Sequence, residues 1–361
     1  MTQDVHLSRG NSPYTGRLVK GCRECMKGAK LVLFVTGRCN KSCFYCPISE
    51  ERQGESVVFA NEVEVTDLQQ AITEARMIDA TGMGITGGEP LLEVNRTLQF
   101  IQAFKNEFGP DFHVHLYTGL EPVPLDAVKT LLDAGLDELR LHRFEVGEDY
   151  PTLWKMMKGR AKLGLEVPAI PGMLNQMKSL LVQLDEIGID FVNINELEFT
   201  ALNARALKKR GMRLQADTIA AVQGSEKVAL KLVEWAAKKT RLNVHYCPLS
   251  LKDGIQLRNR FRRRAKNVAR HFEQITKEGL LAKGIIKPPS GVSLQEAQDV
   301  LLTQLQVSSA DLWINETRGQ LETSVRIVRR LATKLKTQGF EVGISEEYPI
   351  TSRFQVSYTP L

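Results

Sequence analysis

The sequence predicts an α/β fold built on a parallel sheet covered by helices. Short apolar runs, each followed by a stretch with helical spacing, recur six times between residues 31 and 209. From the second run on they return about every 25 to 30 residues, the length of a strand with its crossover helix. No long strand-only stretch interrupts the series, as a parallel sheet requires.

The elements follow in order. Leu31–Val35 is the first strand, and Asp67–Ala80 the helix after it, capped by Thr66 or Asp67. Met83–Thr86 precedes the helix Arg96–Phe108, and His113–Tyr117 precedes Leu125–Ala134, entered through Pro124. Leu139–His142 pairs with Leu153–Leu163, Val167–Ile170 with Gln176–Ile187, and Phe191–Ile194 with Ala201–Lys209. This periodicity alone fits a partly or fully closed barrel and an open doubly wound sheet equally.

The remainder changes character. Glu226–Lys239 reads as an amphipathic helix, Asn243–Tyr246 as a short strand and Asp253–Thr276 as a long basic helix. Pro288-Pro289-Ser290-Gly291 has the composition of a linker. Beyond it come a strand (Ala310–Ile314), a helix (Leu321–Lys336) and two strands (Glu341–Ile344 and Phe354–Thr359), a small α+β appendage. The expected boundaries are 1–30 for an N-terminal segment, 31–211 for the repeated units, 212–284 for a helical extension and 285–361 for the appendage.

With 361 residues, 43% of them hydrophobic and 25% charged, the chain has the composition of a soluble globular protein. No apolar run approaches the ~18 residues of a membrane span, and the N-terminus lacks a signal-type apolar core. A cytoplasmic protein with no membrane partner is expected. The net charge is +6, and Arg258–Arg270 alone holds seven Lys or Arg and no acid, leaving 6 − 7 = −1 for the rest. The basicity is therefore local, and such a stretch can meet a polyanion such as RNA.

Five of the six cysteines fall between Cys22 and Cys46, and the sixth is Cys247. Clustering of this kind in a reducing compartment favours metal ligation over disulfides. Cys39, Cys43 and Cys46 follow the first strand at spacings of three and two residues. Three thiolates so placed can converge on one iron–sulfur cubane and leave its fourth iron without a protein ligand. An open position is the mark of a catalytic metal site. One strand later, Thr86-Gly87-Gly88-Glu89-Pro90 supplies glycines that let backbone approach a ligand and expose carbonyl acceptors suited to an ammonium group.

Together these motifs resemble the radical S-adenosylmethionine (SAM) superfamily, over roughly Lys30 to Thr200. The resemblance implies a partial (β/α)6 TIM-like barrel. It implies a [4Fe-4S] cluster on Cys39, Cys43 and Cys46 whose open iron chelates SAM, and reductive cleavage of SAM to a 5′-deoxyadenosyl radical. It places Tyr45 beside the adenine and gives Gly87, Gly88 and Glu89 the SAM amino group. Arg140 and His142, on one face of the fourth strand, would meet the SAM carboxylate or ribose, and Asn195 the ribose. Val167–Gly172 resembles the segment that lines the adenine pocket. A reducing partner such as ferredoxin or flavodoxin is implied as well. Within the superfamily, Gly21–Pro47 looks most like an uncharacterised, largely archaeal group related to pyruvate formate-lyase activating enzymes.

Cys22 and Cys25 form a second half-site before the first strand, and His245 and Cys247 project to one face of a short strand after the barrel. These four residues are candidates for an accessory metal site holding zinc or an iron–sulfur cluster. Three functional readings follow: radical modification of a macromolecule (RNA or protein), activation of a glycyl-radical enzyme, and a non-enzymatic RNA-binding protein with structural metals.

Overall fold

The computed structural model describes residues 2–361, which divide into two compact units, the first ending at Leu257 and the second spanning Arg258–Leu361. In the first, a short helix α1 (Lys20–Met26) precedes strand β1 (Lys30–Phe34). Then follow α2 (Leu68–Met77), β2 (Gly82–Thr86), α3 (Val94–Phe108), β3 (His113–Thr118) and α4 (Leu125–Asp133). The series continues through β4 (Glu138–Leu141), α5 (Tyr150–Met157), β5 (Lys162–Ala169), α6 (Leu174–Ile187), β6 (Phe191–Glu196) and α7 (Ala204–Lys209). It closes with α8 (Ser225–Lys239) and β7 (Asn243–Cys247). Asp67 caps α2, its carboxylate accepting from the Gln70 N–H at 2.8 Å, a contact of the kind worth about 1 kcal/mol.

β1 to β7 are all parallel and lie side by side in chain order. A hairpin, Val5–Ser8 with Ser12–Thr15, joins the β7 edge through Tyr14 and His245. A second, Phe59–Ala60 with Val63–Glu64, covers the β1 edge. The sheet is a partial barrel, as the family resemblance implies, with seven parallel strands rather than six. Asn243–Cys247 pairs with Phe191–Asn195 in register. It therefore belongs to the barrel and not to a separate helical extension beginning at residue 212. The hairpin and α1 have no counterpart in the sequence expectation.

Alternation along the strands sorts the side chains. Val114, Leu116, Leu139, Leu141, Leu165 and Ile194 are fully buried in the core that includes helix residues Phe104, Leu131, Leu153 and Leu184. The intervening residues face the barrel interior and are polar: His115 and Tyr117, Arg140 and His142, Glu166, Asn193 and Asn195.

The second unit has its own sheet, in which Leu281–Lys287 pairs antiparallel with Gln320–Thr323 and with Glu341–Glu347. Trp313–Asn315 and Gln355–Pro360 extend it on either side. Ile286, Leu321, Val328, Leu335 and Val342 form its core with the helix Val325–Thr337. Three expectations are corrected here. Leu281–Lys287, given no element and cut by the expected boundary at 284/285, is the central strand of this sheet. The run from Leu321 is a strand before it becomes a helix, because Ser324 caps a new helix by accepting from the Ile327 N–H. The basic helix ends at Val268, is π-helical over Lys252–Leu257, and divides between the two units. Within it Arg264 is buried and donates to the Pro349 carbonyl, and just beyond its end Arg270 pairs with Glu322 at 2.7 Å. Arg258, Arg262 and Lys266 form the exposed stripe.

Candidate functional site

The loop after β1 and the turn after β2 are knitted together at the C-terminal end of the sheet. The Gly88 N–H donates to Thr36 O at 2.7 Å, and the Glu89 N–H to Arg38 O at 2.8 Å. No side chain fits between them. A Cβ on Gly88 would lie 2.2 Å from Arg38 O, and one on Gly87, whose φ is 151°, would lie 2.4 Å from Thr36 O. This contact fixes the root of the loop that carries Cys39, Cys43 and Cys46. Within the loop the Cys46 N–H donates to Cys43 O at 3.0 Å, and the Lys41 N–H to Cys39 Sγ at 3.4 Å. All three cysteines and Gly87, Gly88 and Glu89 line one cavity of 680 Å³, within the roughly 300–1,000 Å³ usual for ligand sites.

Glu89 is buried and held by three donors. Its carboxylate accepts from the Gly119 N–H at 2.7 Å, the Thr118 hydroxyl at 2.9 Å and the Leu91 N–H at 3.1 Å. Burial pushes its pKa up, and these hydrogen bonds oppose the rise without cancelling it. Tyr45 stands in an aromatic wall, its ring 5.6 Å from His142 and 5.8 Å from Phe144. His142 Nδ1 donates to Glu166 O at 2.6 Å, which fixes the ring's tautomer.

Below this mouth the barrel holds a charged network. Arg140 donates to Glu166 and to Glu138, each at 2.7 Å, and to the Tyr117 hydroxyl at 3.1 Å. Glu166 also accepts from Asn193 at 2.9 Å and Asn195 at 3.0 Å. Glu138 accepts from the Gly21 N–H of α1 at 2.8 Å and pairs with His113 Nε2 at 2.9 Å. Lys30 reaches His113 from the other side at 2.7 Å. Burial pushes the Glu138 carboxyl up, but Arg140 and the His113 hydrogen bond outweigh it and hold it well below the usual carboxylate range. Glu166 is likewise pushed up by burial and drawn below its ordinary value by Arg140 and the two asparagines. Desolvation lowers Lys30 to about 7.

Each site residue read from the sequence therefore lies on this cavity, Arg140, His142 and Asn195 included. Arg140 and Asn195 are engaged by the network itself. Cys22, Cys25, His245 and Cys247 line the same cavity. Among the described residues no three His, Cys, Asp or Glu side chains converge where a single ion would sit. The sequence reading missed Glu166, Glu138, Lys30 and Tyr117. Polar residues alternating with Leu or Val mark the strands of Tyr117 and Glu138, and Glu166 stands between Leu165 and Val167, whereas Lys30, followed on its own face by Val32 and Phe34, has no such signal.

Residues 33–163 match the family model of the radical SAM superfamily, and residues 279–361 match a domain of unknown function. A Methanocaldococcus jannaschii protein that carries the provisional name glycyl-radical enzyme activating enzyme is 40% identical over 362 residues, covering 96% of this chain and 93% of that protein. The chain belongs to the radical SAM superfamily and is one of its enzymes. Membership implies a [4Fe-4S] cluster and SAM, and it removes the non-enzymatic reading. Among solved structures, SuiB of Streptococcus suis bound to S-adenosylmethionine is 14% identical with a TM-score of 0.46, covering 62% of this chain and 51% of that one. The hydrogenase maturase HydG is 14% identical with a TM-score of 0.40, covering 68% and 65%. The chain thus spans about half the length of SuiB, and at these scores the likeness adds nothing to the fold already described. No described helix is long and apolar enough to cross a membrane.

Proposed function

We propose that the enzyme binds a [4Fe-4S] cluster on Cys39, Cys43 and Cys46, cleaves SAM reductively, and directs the radical to hydrogen abstraction from a protein substrate. The interlock of the cysteine loop with the Gly87-Gly88-Glu89 turn carries this reading, because it sets three thiols and a ligand-sized cavity side by side. The chain's own groups fit the cluster: three thiols on one short loop, with the Lys41 N–H already directed at Cys39 Sγ. When bound, the cluster would pass one electron to the SAM sulfonium, releasing methionine and a 5′-deoxyadenosyl radical.

The remaining work falls to the protein. Gly87 and Gly88 line the cavity and would offer backbone carbonyls to the SAM ammonium, their missing side chains letting the turn pack on Thr36 and Arg38, and Glu89 holds the turn through Thr118 and Gly119. Tyr45, His142 and Phe144 offer an aromatic face to the adenine. Asn195 and the Glu166–Arg140 pair present polar groups to the ribose or the incoming substrate. A reductant of the ferredoxin or flavodoxin class supplies the electron. The choice of a protein, with activation of a glycyl-radical enzyme as the specific form, rests on the name given to the 40% identical relative.

The exposed Arg258, Arg262 and Lys266, spaced one helical turn apart, favour RNA as a second reading. Deuterium transfer separates the two. Incubated with SAM, reductant and an extract in which only glycine is deuterated, the enzyme should yield deuterated 5′-deoxyadenosine. Label arriving only from deuterated RNA would replace the protein reading with the RNA one.

A further inference from the structure

Three cysteines of the barrel lie outside the Cys39–Cys46 loop. Cys22 and Cys25 sit three residues apart on α1, and Cys247 ends β7. Although 225 positions separate Cys22 from Cys247 (247 − 22), the three line the same interior cavity.

Two of these sulfurs, Cys22 and Cys247, have side-chain N–H groups beside them. Asn193 Nδ2 lies 3.2 Å from Cys22 Sγ and Arg140 Nη2 lies 3.8 Å from it. Gln256 Nε2 lies 3.8 Å from Cys247 Sγ. Of the cations that line the same cavity, Arg140 is shared with Glu138 and Glu166, and Lys252 pairs with Glu198 at 3.4 Å. N–H donors to sulfur and nearby charge are the means by which a protein holds and tunes a cluster.

An independent observation concerns His245, which is 4% exposed and also lines the cavity. Its Nε2 is bound to the Ser12 hydroxyl at 2.7 Å, while its Nδ1 is buried and has no hydrogen-bond partner. An imidazole anchored through one nitrogen with the other left open is oriented as metal-ligating histidines are. His245 and Cys247 are also alternate residues of β7 and so share its inner face.

We infer that Cys22, Cys25 and Cys247 hold a second iron–sulfur cluster inside the barrel, with His245 Nδ1 as the ligand offered to the iron that the cysteines leave free. A cluster distributes its ligands over several irons, so it does not need the single-point convergence that zinc would require and that the described residues lack. The site faces the cavity that the substrate enters, beside the Glu166–Arg140 pair.

The test uses the full chain with Cys39, Cys43 and Cys46 all changed to Ala, reconstituted anaerobically with iron and sulfide. It should retain about one cluster, about four irons per chain, with sulfide-to-iron absorption and an EPR signal on reduction. Adding Cys22→Ser or, in a separate variant, Cys247→Ser should empty it while the far-UV circular dichroism stays that of a folded barrel. His245→Ala should shift the EPR g-values of the retained cluster. A folded triple variant that holds no iron, holds zinc instead, or keeps its cluster after both serine changes would overturn the inference. Because the readout is metal content and not SAM cleavage, a retained cluster in an enzyme whose wild type cleaves no SAM would sink the proposed function and leave this inference standing.

Discussion

Gly88 shows how narrow the tolerance of the site is at the scale of single residues. Its missing Cβ leaves room for Arg38 O, and its N–H donates to Thr36 O, so one backbone unit ties the Gly87-Gly88-Glu89 turn to the cysteine loop. Gly88→Ala places a methyl 2.2 Å from a backbone oxygen that cannot swing aside as a side chain could. The loop must shift, and cysteines displaced by even ~1 Å can lower activity about 100-fold. The expected outcome is loss of SAM binding by at least about tenfold with the barrel still folded. Isothermal titration of reconstituted protein, with circular dichroism as the control, checks it. Affinity equal to wild type would show that the turn does not set the loop. Residues of this kind are legible in a sequence, because the cysteine spacing and the two glycines are local patterns that stand next to their strands.

At the scale of elements, β3 to β7 share one device: polar residues at alternate positions turned into the barrel, with Leu, Ile and Val turned toward the helices. The consequence is a buried ion network that is stable only as a set. Removing Arg140 leaves Glu138 and Glu166 without their shared cation, and breaking such a buried pair costs about 3–5 kcal/mol. Arg140→Ala should therefore lower the urea stability at pH 7 by that amount, and adding Glu138→Gln should recover part of it. A loss under about 1 kcal/mol would contradict the network's role. The pH dependence has a definite sign. Glu138 is depressed when folded, so its contribution is fully present above its ordinary value of 4.5 and is lost as the pH falls below that toward the folded value. Glu138→Gln should flatten the acid limb of the stability curve in that window.

Much less of this level could be read from the sequence. Arg140 and His142 stand out beside each other, but Lys30, His113, Glu138 and Glu166 come from four strands and acquire meaning only through pairing register. The same holds for Asn243–Cys247, whose place as the seventh strand depends on its partner Phe191–Asn195 rather than on its own composition. Leu281–Lys287 was hidden for a related reason. Buried along its length apart from Lys287, it lacks the alternation that marks a half-exposed strand.

For the whole molecule, the first unit brings every candidate residue to one cavity, and the second contributes a separately cored sheet and the basic stripe. The proposed radical chemistry therefore rests on residues of the first unit alone, and the identity of the substrate is a separate question. The most direct test of the central claim is the 5′-deoxyadenosine formed from SAM by anaerobically reconstituted, reduced enzyme, measured by mass spectrometry. The wild type should form it, and Cys39→Ala, Cys43→Ala and Cys46→Ala should each abolish it. Cleavage undiminished in any one of the three variants would contradict the assignment of the cluster to this loop.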